Sequence, residues 1–293
     1  MKKEPLIYIV ILNYNNTQLT IDCLNSLYGL SYTNFKILVV DDCSTDRSID
    51  GITTLFSQVE LIINERNINY CKSFNVGIRH ALDNEAEYIF LINNDTKEFS
   101  TNYLQEIIKT FRGDPSVGMV GSKCFDYDGK ERRGKKASMR FGLEMAVPTE
   151  GYVIKREAFE NVGLFNEWLV IYFEDLDYIA RLSESGYKTA INTSISFAHL
   201  GGGTTSKVIF KSNYYRVRNM ILFTKRYCKH RPVIINLNEI KGNLGVHYRR
   251  MISFIYQKDF IKAVKVFSAV FIGIIVGFFI PESFGWREKF YKL

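Results

Sequence analysis

The 293-residue chain lacks the sequence signatures of several common kinds of protein. Its five cysteines are scattered, with no C-x-x-C pair and no histidine at zinc-finger spacing. We therefore expect reduced thiols in a cytoplasmic protein and no disulfide framework. The apolar run at residues 6–12 is too short, and ends too soon at Asn13, for a signal peptide. No Walker A motif and no G-x-G-x-x-G occur, which argues against a P-loop or dinucleotide site.

The net charge of +7 is unevenly distributed along the chain. Residues 1–206 contain 21 Lys/Arg and 27 Asp/Glu, a balance of −6, whereas residues 207–293 contain 17 and 4, a balance of +13. A basic tail can serve nucleic acid or an anionic membrane. Residues 266–280 are uncharged, which favours the membrane, although this run is shorter than the ~20 residues that span a bilayer.

Apolar runs alternate with helical patterns through the first hundred residues. Strands are expected at 6–12, 35–40, 59–63 and 88–92, and helices at 17–27, from an N-cap at Ser44 to about 56, and at 72–82. This alternation predicts a mostly parallel, Rossmann-like α/β sheet flanked by helices. Each strand ends in Asn or Asp, and parallel strands bring such ends to one edge. We therefore expect a binding site there.

The next segments predict further elements with fewer functional residues. They are a helix at 102–111, a strand at 117–125, a loop at 126–140, a strand from 150 and a helix at 156–162 that ends at Gly163. The loop has six basic residues. It is either an ordinary solvated loop or a segment that grips an anionic acceptor.

Three carboxylates then begin a helix expected at 174–185. Asp177 and Arg181 have the i,i+4 spacing of an ion pair. Glu174 or Asp175 is well placed to act as a general base, although both could instead cap the helix. His199 ends a strand expected at 189–198 and precedes three glycines. This position favours a role at a metal or a phosphate.

Six motifs, in this order, resemble the family 2 glycosyltransferases of the GT-A fold, most closely their bacterial rhamnosyltransferase-like members. The resemblance covers about residues 6–225. Its motifs are VILNYN (10–15), VVDDCSTD (39–46), NIN with NVG (67–69, 75–77), LINNDT (91–96), FEDLD (173–177) and HLGGGTTS (199–206).

The resemblance implies a role for each of these segments. It places Asp175, with Glu174 beside it, as the catalytic base, and Asp95 with His199 at a Mg²⁺ or Mn²⁺ ion. Asn93 stands where the family's D-x-D motif has its first aspartate, so a weakly held cation is implied. The residues implied for nucleotide-sugar binding are Asn13, Tyr14, Asp41, Asp42, Asn67, Lys72, Asn75 and Asn94.

The implied activity is inverting transfer of a sugar from a UDP- or dTDP-linked donor to a glycan or lipid-linked acceptor, in bacterial surface polysaccharide assembly. A sugar nucleotidyltransferase and a non-catalytic nucleotide-sugar-binding subunit are the alternatives. We expect residues 1–229 to form the catalytic domain. Residues 230–293 are expected to form a helical extension at the inner face of the cytoplasmic membrane. A buried helix in the core or in a homodimer is the alternative for that extension, and no nucleic-acid partner is expected.

Overall fold

The protein is described here from a computed structural model, for residues 4–133, 138–140, 143–145, 150–201, 208–227 and 233–281. The strands are β1 (Ile7–Asn13), β2 (Phe35–Asp41), β3 (Glu60–Ile63), β4 (Tyr88–Asn93), β5 (Thr96–Lys97), β6 (Val117–Phe125), β7 (Glu131–Arg133), β8 (Ser138–Arg140), β9 (Leu143–Met145), β10 (Gly151–Lys155) and β11 (Lys188–His199). The helices are α1 (Thr17–Tyr28), α2 (Ser48–Leu55), α3 (Tyr70–Asp83), α4 (Tyr103–Gly113), α5 (Arg156–Val162), α6 (Glu174–Glu184), α7 (Ile209–Tyr227), α8 (Val233–Tyr256) and α9 (Phe260–Phe279).

One mixed sheet forms the centre of the fold. Its order is β3-β2-β1-β4-β10-β6-β11-β5, with β7 paired to β6. Strands β1 to β4 are parallel, β10 runs antiparallel to both β4 and β6, and β11 is parallel to β6. The predicted mostly parallel α/β sheet is therefore confirmed, with one reversed strand in its middle.

Both faces of the sheet are covered, which explains why β1 is apolar throughout. Tyr8 and Val10 pack in a core beneath α3, α5, α6 and α7. Ile7, Ile9 and Ile11 point the other way, towards α1, α2 and α4. A strand with helices on both sides buries every side chain.

Gly77 lets α3 lie close to the sheet. A Cβ at this position would clash with Val10 Cγ1 and would stand 3.0 Å from Val40 Cγ2. The glycine of the NVG motif is thus explained by the contact of α3 with β1 and β2.

Two local expectations are wrong. Ser44 does not cap a helix, because α2 begins at Ser48 and the Ser44 hydroxyl instead donates to Asp41 Oδ1 at 2.5 Å. The segment expected as one loop contains β7, a strand antiparallel to β6. Of its six basic residues, Lys135 and Lys136 lie outside the described residues.

The C-terminal helix is longer than its uncharged core. The helical period continues through Lys262 and Lys265, so α9 has 20 residues. Within the described ranges, it is the one helix long and apolar enough to cross a membrane by length and composition. The sequence predicted a segment too short to span a membrane. This is corrected for the helix, which has 20 residues, although the uncharged run has 15.

Helix α9 packs along α7 through its small residues. A Cβ at Gly273 would meet Tyr214 O at 3.0 Å, and one at Gly277 would meet Ile221 Cβ at 2.9 Å. Lys225 of α7 donates to carbonyl oxygens at the end of α9, including those of Phe278 and Ile280 at 3.0 and 2.8 Å. The two helices thus run in the same direction at close backbone approach.

Candidate active site

The carboxyl ends of the central parallel strands meet at one edge, as the sequence predicts. The β-sheet register places Asn13 beside Asp41 and Leu12 beside Asn93. At the far side, β5 pairs with β11 so that His199 stands opposite Thr96. Motifs that are up to 186 residues apart therefore share one edge of the sheet.

Asn13 is the centre of a buried hydrogen-bond network at this edge. Its side-chain nitrogen donates to Asp41 Oδ1 at 2.6 Å and to Ser44 Oγ at 3.1 Å. Its oxygen accepts from Thr20 Oγ1 at 2.5 Å and from Asn94 Nδ2 at 3.2 Å. Asn13 is completely buried, so it holds the ends of three segments together. Tyr14, the next residue, is partly exposed between β1 and α1.

The carboxylates of Asp41 and Asp42 shape the turns around the cleft. Asp41 accepts from both the backbone N–H and the hydroxyl of Ser44. Asp42 accepts from the backbone N–H groups of Ile68 and Asn69 at 2.8 and 3.2 Å. These bonds connect the second motif to the start of α3. Direct contacts of the two aspartates with base and ribose stay predictions.

The three expected nucleotide-binding residues near α3 have different positions. Asn67 is exposed and donates to the backbone oxygen of Asp42 at 3.3 Å, and Lys72 is exposed in the first turn of α3. Asn75 instead is fully buried. Its Nδ2 donates to Phe165 O at 2.9 Å and its Oδ1 accepts from Phe165 N at 3.0 Å. These bonds with Phe165 are structural, and the expected contact of Asn75 with the nucleotide stays a prediction.

Asp95 and His199 are brought together from 104 residues apart in sequence. His199 Nε2 lies 3.0 Å from Asp95 Oδ1, and both residues are largely buried. The backbone oxygen of Asp95 also accepts from Leu200 N at 3.0 Å and from the Tyr127 hydroxyl at 3.1 Å. Tyr127 is not among the residues expected at the site. Its contact joins the β6–β7 turn to this corner.

The Asp95–His199 pair offers one carboxylate and one imidazole to a cation. Among the described residues, no group of three or more His, Cys, Asp or Glu side chains could hold a metal ion. A cation at this pair would take its remaining ligands from water and from substrate phosphates, as Mg²⁺ often does. The carboxylate suits both Mg²⁺ and Mn²⁺. The pair fits a weakly held cation of this kind.

The first turn of α6 contains two buried carboxyl groups of unlike character. Within the described structure, Glu174 Oε2 has no hydrogen-bond partner. Burial, followed by the charge of Asp175, raises the pKa of Glu174 to about 8. Asp175 Oδ1 accepts from the backbone N–H of Leu176 at 2.8 Å. The two adjacent carboxyl groups titrate as a pair, and the raised pKa favours one proton on the pair near neutral pH.

The predicted ion pair of Asp177 is confirmed and is structural. Arg181 Nη2 lies 2.9 Å from Asp177 Oδ2, and both side chains are buried. Arg181 also donates to the backbone oxygens of Val162 and Leu164. Asp177 therefore holds α6 in place. The carboxyl groups of Glu174 and Asp175 remain as the candidates for a general base on this helix.

Tyr70 connects the two ends of the cleft and was missed in the sequence. Its hydroxyl donates to Asn93 Oδ1 at 3.2 Å. Burial, then the charges of Glu174 and Asp175, raise the pKa of Tyr70 far above its usual value, and Asp95 adds to the effect. The charges of the α6 carboxyls and of Asp95 therefore both act on this partly buried ring. Its position directly after the NIN motif was the only available signal.

Solved structures with the same fold bind nucleotides. A mannosyltransferase from Pyrobaculum calidifontis, in complex with GDP-Man and Mn²⁺, superimposes with a TM-score of 0.62 at 14% identity, over 93% of this chain and 88% of that one. The structure of GalNAc-T7 with UDP, GalNAc and Mn²⁺ gives 0.59 at 14% identity, over 77% of this chain and 48% of that one. The fold is therefore GT-A, as predicted.

Sequence comparison finds a relative over nearly the whole chain. The dTDP-rhamnosyl transferase RfbF of Shigella flexneri is 25% identical over an alignment of 281 positions that covers 88% of this chain and 92% of that protein. A glucuronosyltransferase of Methanococcus voltae that acts on a dolichyl N-acetylglucosaminyl phosphate is 20% identical, over 75% of each chain. The model of the family described as Glycosyl transferase family 2 matches residues 8–169, more than half of the chain, and the protein belongs to that family.

Proposed function

We propose that the protein transfers a sugar, with inversion, from a UDP- or dTDP-linked donor to a hydroxyl of a glycan or lipid-linked acceptor in bacterial surface polysaccharide assembly. The observation that carries the proposal is that the start of α3 contacts both parts of the cleft: the Tyr70 hydroxyl donates to Asn93 Oδ1 at 3.2 Å, and Cys71 N donates to Val170 O, in the loop before α6, at 3.1 Å. A single cleft can then hold a diphosphate at one end and activate a hydroxyl at the other. Rhamnose is the sugar favoured by the relative from Shigella flexneri.

Asp175 is the proposed general base. The raised pKa of Glu174 favours its protonated form, and the family resemblance assigns the base to Asp175. Asp175 takes the proton of the acceptor hydroxyl while the hydroxyl oxygen bonds to the anomeric carbon. The bond from that carbon to the diphosphate oxygen breaks, and the nucleoside diphosphate leaves from the opposite side. A displacement of this geometry inverts the anomeric configuration.

The cleft needs positive charge to hold a diphosphate, because Asp41, Asp42 and Asp95 are gathered at its edge. A Mg²⁺ or Mn²⁺ ion held by Asp95 and His199 would neutralise the charge that develops on the departing diphosphate. Lys211 is a basic residue on the same side, where its Nζ donates to Asn69 Oδ1 at 2.9 Å. These groups bind and orient the donor while Asp175 acts on the acceptor.

The C-terminal helices are proposed to bring this cleft to the inner face of the cytoplasmic membrane. Helix α9 buries one side on α7 and exposes an apolar stripe at Phe260, Val264, Phe267, Phe271, Ile275 and Phe278. The balance of +13 in residues 207–293 complements an anionic bilayer. Because one face of α9 is already covered by α7, we propose that it lies in the interface and does not cross the membrane.

The Asp175→Asn variant tests the proposed base. A thermal-shift screen of UDP- and dTDP-sugars with Mn²⁺ selects the donor, and sugar transfer is then followed as release of nucleoside diphosphate. We expect transfer to fall by at least about 100-fold, because the general base is lost. Binding of the nucleoside diphosphate, measured by calorimetry, should be unchanged.

The exposed Glu184→Gln variant on the same helix is the control and should keep full activity. Full activity in Asp175→Asn would contradict the assignment. A wild-type protein that binds a nucleotide sugar but transfers it to no acceptor and to no water would instead support the non-catalytic alternative.

A further inference from the structure

The loop that leads into α6 has an unusual backbone. Val170, Tyr172 and Phe173 have φ angles of 70°, 67° and 70°, in the left-handed region that residues other than glycine rarely adopt. Phe173 directly precedes Glu174, so this path decides the direction in which the first turn of α6 begins. Conformations of this kind persist only where the surrounding structure enforces them.

The buried side chain of Asn219, on α7, holds this loop through hydrogen bonds to its backbone. Its amide nitrogen donates to three backbone carbonyl oxygens of the loop, those of Leu169 at 2.9 Å, Ile171 at 3.0 Å and Tyr172 at 2.8 Å. These oxygens flank the residues of positive φ. The amide therefore stabilises the strained path itself.

Arg218, the neighbour of Asn219, completes the support. Its Nη2 donates to the backbone oxygens of Trp168 and Leu169 at 2.9 and 3.1 Å. Its Nε donates to Asn219 Oδ1 at 2.8 Å, which fixes the direction of the Asn219 amide. Both side chains are buried. The two residues thus form one clamp on the loop.

The same loop also contacts the nucleotide end of the cleft. The backbone oxygen of Val170 accepts from Cys71 N at 3.1 Å, in the first turn of α3 next to Tyr70. The Arg216 guanidinium lies 3.8 Å from the centre of the Tyr172 ring. The loop therefore lies between the start of α3 and the carboxyls of α6.

We propose that Arg218 and Asn219 are positioning residues that set the orientation of the α6 carboxyl groups through the loop. The inference rests on the proposed function, since it takes Asp175 as the base. Both side chains are buried, and the hydrogen bonds described above go to loop backbone and between the two residues, so we place their action on the loop and not on substrate. Because a base displaced by about 1 Å can lose about 100-fold in rate, the clamp affects turnover more than donor binding.

The test compares the Asn219→Leu and Arg218→Lys variants with the wild-type protein. The leucine keeps the size of the side chain without its donors, and the lysine keeps the charge without the planar fork of the guanidinium. We expect kcat for sugar transfer to fall by about 100-fold in Asn219→Leu and by a smaller factor in Arg218→Lys. The Kd of the nucleoside diphosphate with Mn²⁺, measured by calorimetry, should be unchanged in both.

Matched controls make the same kind of bond far from the cleft. Asn192 Nδ2 donates to Glu106 O at 3.2 Å, and Arg156 Nε donates to Ala86 O at 2.8 Å. Asn192→Leu and Arg156→Lys should lower the melting temperature and leave kcat unchanged. This separates positioning from a general loss of stability.

Folded variants with wild-type kcat would overturn the proposal, and so would a fall in kcat matched by equal weakening of diphosphate binding. If Asn219→Leu does not fold, Arg218→Lys decides by the same two measurements. Failure of the proposed function itself has a different result: Asp175→Asn is then fully active, or the wild-type protein transfers no sugar.

Discussion

Some contacts of single residues at the cleft can be predicted from the sequence, and others cannot. The Asp177–Arg181 pair depends only on helical spacing, so the sequence was sufficient to predict it. For Asn75 the family resemblance implied a contact with the nucleotide, yet its partner in the structure is Phe165, which is 90 residues away. No local pattern indicates a contact of that kind. The Tyr70 hydroxyl bond to Asn93 was missed for the same reason.

The proposed cation site is tested by changing Asp95. We expect EDTA to stop turnover, and Mn²⁺ or Mg²⁺ to restore it. In Asp95→Asn the Mn²⁺ concentration for half-maximal binding of the nucleoside diphosphate should rise at least about tenfold, because one of the two proposed protein ligands is weakened. Calorimetric titration with the nucleoside diphosphate at several Mn²⁺ concentrations measures this without relying on turnover.

Glu98→Gln is the control for this experiment, since Glu98 is an exposed carboxylate three residues from Asp95. Its Mn²⁺ dependence should match that of the wild-type protein. An enzyme that turns over equally well with and without a divalent cation would exclude the role assigned to Asp95 and His199.

The raised pKa of Glu174 predicts how stability depends on pH. In the native protein the pKa of Glu174 is raised to about 8, whereas in the unfolded chain this side chain releases its proton near the ordinary value of 4.5. The native state therefore holds more protons between these values, and stability falls as pH rises through this window. The total loss is at most a few kcal/mol.

Melting temperatures between pH 5 and 9 measure this effect. Glu174→Gln cannot ionise, so its melting temperature should fall less between about pH 5 and 8 than that of the wild-type protein. Glu184→Gln, an exposed change on the same helix, should follow the wild-type curve. Parallel curves for wild type and Glu174→Gln would mean that Glu174 is already ionised in the native protein.

At the scale of elements, strong periodic patterns were predicted best. The strand at Val117–Phe125 and the helix at Arg156–Val162 have the predicted bounds. The predicted start of α2 was wrong because Ser44 can form more than one kind of local hydrogen bond. Its hydroxyl bonds to the buried Asn13 and Asp41 side chains and does not cap the helix. Strand β7 was missed because charged residues at an edge strand look like a solvated loop.

The helices of the C-terminal region contribute to the catalytic side of the fold. One side of helix α7 bonds to the loop before α6 through Asn219. Another side of α7 packs closely against Gly273 and Gly277 of α9. Apolar side chains of α9, among them Val270 and Ile274, join the core that includes α3 and α6. The division into domains at residue 229 stays a prediction. Removing α9 would uncover the helix that supports the loop, so truncation is a poor test of membrane binding.

At the scale of the whole molecule, the exposed stripe of α9 has two possible partners that differ in charge. A bilayer with anionic lipid matches both the aromatic side chains and the basic C-terminal part of the chain. A second copy of α9 would match only the apolar spacing, since two tails of +13 repel each other. Charge therefore favours the bilayer over the homodimer.

A surface variant separates these partners while α9 stays on α7. Phe267, Phe271 and Phe278 are 55–60% exposed, so replacing all three with serine removes apolar surface without opening the core. We expect the wild-type protein to float with vesicles that contain anionic lipid, and less in 0.5 M salt or with neutral vesicles, because salt screens the attraction. The triple variant should remain in the soluble fraction.

Leu55→Ser with Ile63→Ser is the matched control, because both side chains are exposed and lie on α2 and β3, away from α9. This variant should float like the wild-type protein. Light scattering after gel filtration decides the alternative. A wild-type dimer that becomes a monomer in the triple variant, with no flotation of either, would assign the stripe to a second copy of the chain and refute the membrane proposal.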